Sequence, residues 1–252
     1  MQITPLTYAP VFTSNSRTYV KDDRYFGTMT FMFRDDLDWK KFTKYAVQHF
    51  KDKEKVNFIQ LASSDGSEAY TQIITLLENY PKVAHKFLPI KAFDIDEEVI
   101  KAAQSGKINL TEIDIKGLNK KILNKYFIKS DEDLIIDNDY MPKGALGQKS
   151  DLSINTYNVS KILTDNVIFK KNDMHYELMK LKDESNSIIL CRNILGYLNP
   201  QEVDLFTDLL SLKLKKDSLF VIGELDTDYT NIDDILLRKR FLKIMNNVYQ
   251  KI

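Results

Sequence analysis

With 36 basic and 36 acidic side chains in 252 residues the chain has no net charge, so its summed field offers a nucleic-acid polyanion no attraction. Its single cysteine, Cys191, excludes an internal disulfide framework and a cysteine-cluster metal site, and its three histidines lie far apart in sequence. No apolar run reaches the ~20 residues of a membrane helix, and Met1 to Phe12 has neither the basic start nor the apolar core of a secretory signal, so a cytoplasmic protein is expected.

Residues 1 to 26 have little periodicity and are expected to form an extended or loosely structured arm. One domain is expected over 27 to 252. Trp39, Phe42, Tyr45, Ala46 and Phe50 recur at helical spacing and face a core. Val56 to Leu61 is a buried strand, Ala62-Ser63-Ser64-Asp65-Gly66 a turn of mostly small residues, and Ser67 to Tyr80 a helix. Such a turn brings bare backbone up to a ligand beside a helix start with unpaired N–H groups, although taken alone it reads equally well as an ordinary strand–helix connection. The pattern recurs at Pro89 to Asp94, a strand ending in an acid suited to two vicinal ribose hydroxyls, with a helix from Asp96 to Ser105. The two units together point to a nucleoside cofactor.

Lys107 to Phe127 reads as a polar helical stretch. From 128 to 166 turn residues accumulate, marking an inserted subdomain with candidate strands at Leu134 to Ile136 and Ser153 to Val159. Val167 to Lys171 is a further strand, ending in Asn172 and Asp173. His175 follows, read as a solvated or locally hydrogen-bonded side chain in preference to a metal ligand, and no metal site is expected. The apolar strand Ser187 to Cys191 stops at Arg192-Asn193. Pro200 to Leu214 is an amphipathic helix with proline at its first turn, and Ser218 to Glu224 is the next strand. Strands alternating with helices predict a doubly wound, mostly parallel α/β sheet whose ligand lies at the strand C-terminal ends.

Three stretches in order, ASSDGSEAY, DIDEEVIKAAQSG and CRNILGY, resemble the A-x-S-T-G-E-E-P-Y, D-I-D-x-E-V-L-x-x-A-x-x-G and C-R-N-x-x-x-Y landmarks of the CheR family. These are S-adenosylmethionine-dependent methyltransferases that esterify glutamates of bacterial chemotaxis receptors. Upstream, Gly27 to Asp35 resembles the family's N-x-T-x-F-F-R segment, matching at Thr30, Phe33 and Arg34 and carrying Thr28 in place of Asn. The chain departs from the pattern at Thr28, at Ala69, and at Gly223-Glu224, where the family usually shows G-H-S-E. Only ~26 residues precede the Thr28 to Arg34 segment, too few for the family's usual N-terminal helical domain. The face that meets the receptor is therefore expected from another chain, or the acceptor differs.

The resemblance implies a class I methyltransferase, Rossmann-like fold with a small β-subdomain inserted, S-adenosylmethionine as cofactor and S-adenosylhomocysteine as product. It implies cofactor contacts at Thr28, Thr30, Arg34, Ala62, Gly66, Glu68, Asp94, Asn172, Asp173, Arg192 and Asn193, with Glu68 capping the turn, Asp94 on the ribose and Asn172 at the adenine. It implies catalytic roles for Arg34 and Tyr197 and an acceptor protein bearing a glutamate, a chemoreceptor in the family. Arg34 suits either a substrate carboxylate or the cofactor's α-carboxylate as a planar fork; by position alone it also reads as a surface arginine near Asp35 and Asp36. Tyr197 reads either as a hydroxyl at the strand end or as a core aromatic. Two other functions stay open: the same chemistry on a different acceptor, and a non-catalytic module that binds the cofactor.

Overall fold

The structure is a computed structural model that describes residues 18–21, 24–27, 30–132, 154–181 and 186–252. In chain order the elements are β1 (Thr18–Lys21), β2 (Arg24–Gly27), α1 (Trp39–His49), β3 (Asn57–Leu61), α2 (Ser67–Asn79), β4 (Ile90–Asp94), α3 (Glu97–Gln104), β5 (Lys107–Thr111), α4 (Glu112–Gly117), α5 (Lys120–Tyr126) and β6 (Phe127–Lys129). They continue as β7 (Ile154–Val159), α6 (Lys161–Thr164), β8 (Val167–Lys171), α7 (Met174–Met179), β9 (Ser187–Cys191), α8 (Pro200–Lys213), β10 (Leu219–Val221), α9 (Glu224–Tyr229), α10 (Ile232–Arg238), β11 (Phe241–Met245) and β12 (Val248–Lys251).

Seven strands form the main sheet in the order β11-β12-β10-β9-β3-β4-β8. The five from β10 to β8 run parallel, and β12 is antiparallel to both of its neighbours. Alternate residues of the central strands serve opposite faces, as the period of two requires. Phe58, Ile188 and Leu190 join one core with Trp39 and Phe42 of α1 and Tyr70 and Ile73 of α2. Ile59, Leu61, Ile189 and Cys191 join the other with Val203, Phe206 and Leu210 of α8 and Leu236 of α10. The strands are buried on both sides and so read as apolar runs. From β3 the chain winds outward to β4 and β8, then crosses back to β9 on the other side of β3. The crevice at this reversal, outside the strand C-termini, is where a doubly wound sheet receives its ligand.

Register sets what meets there. Leu61 pairs with Phe93 on one side and Cys191 on the other, and Asp94 with Lys171, so Ala62, Asp94, Lys171 and Arg192 leave the sheet at one level.

A second, antiparallel sheet has the order β5-β7-β6. The expected helical stretch over 107–127 is corrected at its start, because Lys107–Thr111 is a strand paired along its length with β7. Ile108 and Leu110 are buried on one side of it, and Asn109 accepts a hydrogen bond from Thr156 Oγ1 at 2.6 Å. The helical pattern begins only at the Thr111–Asp114 capping box. Of the expected strand Ser153 to Val159, Ile154–Val159 is β7, whereas Leu134 to Ile136 lies outside the described residues, as does most of the expected N-terminal arm; its described part is the β1–β2 pair. Among the described residues no helix is long and apolar enough to cross a membrane.

Candidate active site

The turn after β3 is wound tightly by its backbone. Ala62, Ser64 and Gly66 have φ of 53°, 49° and 89°, left-handed values that cost a residue with a Cβ on the order of 1 kcal/mol each and gather at functional sites. Gly66 is required twice, since its φ suits glycine and a Cβ there would overlap the Phe169 ring. Asp94 at the end of β4 accepts from Ser64 N at 2.8 Å and Asp96 N at 2.9 Å, which locks its carboxylate between the two turns. Ser63 Oγ, Asp65 Oδ2 and, on the β9 side, Asn193 Nδ2 are buried polar atoms without a hydrogen-bond partner. Such atoms are costly unless a ligand or water completes them. A tightly wound turn of mostly small, buried residues, a buried acid at the second strand and unsatisfied polar groups at the reversal point fit a nucleoside cofactor with an amino-acid arm.

Glu68 and Arg192 face each other as a buried ion pair. The Arg192 side chain is wholly buried; Nη1 lies 2.5 Å from Glu68 Oε1, and Nη2 pairs with Asp36. The guanidinium also sits 5.0 Å from the Trp39 ring. The pairing ties α2, the end of β9 and the segment before α1 into one body. That segment is stitched down elsewhere: Met32 N donates to Asp114 Oδ1 at 2.7 Å, Phe33 N to Thr71 Oγ1 at 2.9 Å, and Glu224 N to Asp36 Oδ2 at 3.0 Å. Thr30 is buried at its start, and Thr28 lies outside the described residues. Asp36 is taken by Arg192, which leaves the half-buried Arg34 without a carboxylate at ion-pair distance among the described residues; its guanidinium lies 5.7 Å from the Phe31 ring. A cleft of about 400 Å³ lined by Asp35, Asp36, Asp38, Lys41 and Glu224 opens beside this segment.

Beyond β9, Asn193 adopts φ 58°, a region asparagine tolerates. The loop it starts is held by Asp226, a fully buried carboxylate that accepts from Asn193 N, Leu195 N and Gly223 N at 2.7, 2.7 and 2.8 Å. Gly223 carries no Cβ because the Asn193 amide occupies that place. Asp226 was not singled out in the sequence, although it stands three residues after Gly223, at the acid position of the G-H-S-E pattern. The loop ends in a 3-10 turn, Leu195–Tyr197, on which Tyr197 is 39% exposed. At that exposure the ring is only partly covered, on the loop that follows β9.

At the β8 end, Asn172 N donates to Asp94 O at 2.8 Å, and its side-chain amide pairs with Glu177. Asp173 is the N-cap of α7, accepting from His175 N at 2.8 Å and lying 3.3 Å from His175 Nδ1. Hydrogen bonding by His175 holds the Asp173 carboxyl below its ordinary value. Both residues stand at the expected edge, with side chains turned to their own helix. Among the described residues no group of three or more His, Cys, Asp or Glu is placed to hold a metal ion.

Burial pushes the carboxyls of Asp65 up to about 7 and of Asp94 and Asp226 to about 6, against an ordinary value of 3.8. A carboxyl raised on folding contributes stability that is complete below its unfolded value and is lost as pH rises through the folded one. The thermal midpoint is therefore expected to fall between pH 5 and pH 8. Carboxyls lowered on folding, such as Asp173, act below about pH 4 and do not offset this. Calorimetric melting across that range checks it, and a flat or rising midpoint would show that these acids are solvated.

Residues 28–140 match the family model of the CheR methyltransferase SAM-binding domain. Comparison with curated proteins finds no similar sequence. Similar solved structures include magnesium protoporphyrin IX methyltransferase (ChlM) from Synechocystis PCC 6803, 11% identical over 84% of this chain and 76% of that one, with a TM-score of 0.37. A SAM-dependent methyltransferase from Archaeoglobus fulgidus is 13% identical over 81% and 70%, with a TM-score of 0.38. Monomeric WbdD is 8% identical over 86% and 41%, with a TM-score of 0.44.

Proposed function

We propose that this chain, a CheR-type S-adenosylmethionine-dependent methyltransferase by its residues 28–140, transfers the methyl group to a carboxylate oxygen, that of a protein glutamate, with a chemotaxis receptor as the acceptor to test first. The observation that carries the carboxylate assignment is Arg34, a half-buried guanidinium on the segment before α1, with no carboxylate at ion-pair distance among the described residues.

S-adenosylmethionine supplies a methyl carbon activated by a sulfonium. In the chain, the backbone from Ala62 to Gly66 would receive the methionine arm, Asp94 the ribose and the β8 end at Asn172 the adenine. A glutamate titrates near ~4.3 and is ionised at neutral pH, so no general base is required of the protein. Its work is to align the acceptor oxygen and exclude water from it. Arg34 offers a two-pronged donor for the acceptor carboxylate, and the Tyr197 hydroxyl, on the loop that follows β9, offers one further donor.

Tyr197→Phe is expected to lower kcat by roughly 10- to 100-fold, the worth of one hydrogen bond to a charged group, while S-adenosylhomocysteine affinity and the melting temperature stay near wild type. A lower melting temperature with unchanged turnover would return Tyr197 to a packing role. The acceptor itself is tested by incubating the protein with methyl-labelled cofactor and receptor cytoplasmic fragments. Label that is released as methanol by mild base marks a carboxyl ester and supports the reading. Label that resists base, or appears only on other substrates, would assign a different acceptor.

A further inference from the structure

We propose that Asp65 is the counter-ion for the α-ammonium group of the cofactor's methionine arm, with the unpartnered hydroxyls of Ser63, in the same turn, and Tyr70 as further, neutral acceptors. The inference rests on the cofactor reading above and assigns to one side chain a specificity that the reading leaves open. Asp65 lies within the turn after β3 and is 2% exposed. Oδ1 is satisfied twice by Ser67, from N at 2.9 Å and Oγ at 2.7 Å. Oδ2 is buried and accepts nothing, and the Ser63 and Tyr70 hydroxyl oxygens, each on a residue no more than 1% exposed, are likewise without partners.

The charges around Asp65 make the need specific. The charged groups that act on it most strongly, Asp114 and Glu68, are both acids, and both raise its carboxyl further. The nearby cations Arg192 and Arg34 bear on Glu68 instead. A buried carboxylate oxygen in acidic surroundings calls for a cation that brings its own donors. An ammonium has three N–H groups and no acceptor, which matches one charged and two neutral acceptors. The adenine and ribose offer no positive charge. The pattern this turn resembles has threonine where Asp65 stands, so the added charge belongs to this chain.

The test is calorimetric titration of the full chain at pH 8, above the raised Asp65 value, with S-adenosylhomocysteine, its deaminated analogue and 5′-methylthioadenosine, which lacks the amino-acid arm. Wild type is expected to prefer S-adenosylhomocysteine to the deaminated analogue by at least ~10-fold. Asp65→Asn, which keeps an acceptor for Ser67, and Asp65→Thr, the residue of the pattern, are both expected to abolish most of that preference. Both should leave 5′-methylthioadenosine affinity within about two-fold. A preference unchanged in both variants, or an equal loss for all three ligands, overturns the assignment while leaving the cofactor site in place. Wild-type protein that binds none of the three overturns the cofactor reading and this proposal with it.

Discussion

Replacing Arg192 by methionine is expected to cost about 3 to 5 kcal/mol of folding stability, the penalty for stranding buried charge when one partner of an ion pair is removed. Methionine fills much of the volume beside Trp39 but leaves the Glu68 and Asp36 carboxylates facing each other with no cation between them. The loss should depend on pH. Burial already holds the Glu68 carboxyl above its ordinary 4.5, and Arg192 is the strongest influence drawing it back. Without the guanidinium that carboxyl moves further up. Its contribution to stability, complete below the unfolded value, is then lost as pH rises through the folded one. Denaturant unfolding should therefore show a larger deficit at pH 8 than at pH 5, and adding Glu68→Gln should recover part of it at pH 8. A deficit below about 1 kcal/mol at both values would mean that the three groups are solvated and do not strap the segment down. Function follows the same strap, because Asp36 lies two residues beyond Arg34.

Arg34→Ala is expected to lower kcat/KM for a carboxylate acceptor by about 2 to 4 kcal/mol, roughly 30- to 1000-fold, as for a donor aimed at a charged oxygen in a water-poor site. Arg34→Lys should recover only part, since an ammonium keeps the charge but not the planar fork. Stability should change little: the side chain is half-buried, and the Arg34 contact that holds Trp39 is made by its backbone carbonyl, which accepts from Nε1 at 2.9 Å. Titration with S-adenosylhomocysteine separates the two carboxylates that Arg34 suits. A loss confined to transfer assigns it to the acceptor, whereas an equal loss of product affinity would assign it to the cofactor's α-carboxylate. No loss in either would leave a surface arginine stacked on Phe31.

These two expectations differ in how far the sequence could lead. Arg34 was legible because it sits in a short pattern with Thr30 and Phe33, and a motif on one stretch of chain survives folding intact. Arg192 was legible as a residue but not as a contact, since its partners Glu68 and Asp36 lie 124 and 156 residues away. Nothing local distinguishes an arginine that reaches a cofactor from one sealed between two acids. Asn172 and Asp173 show the same limit at shorter range. Both types suit a ligand, yet the helix they introduce claims their side chains through Glu177 and His175.

The strand β5 was missed for a related reason. Five residues next to a polar helical pattern take on its reading, and only the partner strand β7, nearly fifty residues later, supplies the hydrogen bonds that make them a strand. Asp226 escaped because a lone acid between Leu225 and Thr227 has no periodicity, and its role exists only when the β9 and β10 loops arrive side by side.

The sequence by itself determined the parallel α/β layout, the turn after β3, the acid ending β4 and the polar residues ending β8 and β9. Each of these is a local matter of residue size, period and strand termination, carried within a few positions of the chain. Only the tertiary structure decided which of those groups remain available. Burial and pairing joined Glu68 to Arg192, kept Tyr197 partly exposed and left Asp65 with one unsatisfied oxygen, because desolvation and charge pairing depend on neighbours brought together from distant parts of the chain.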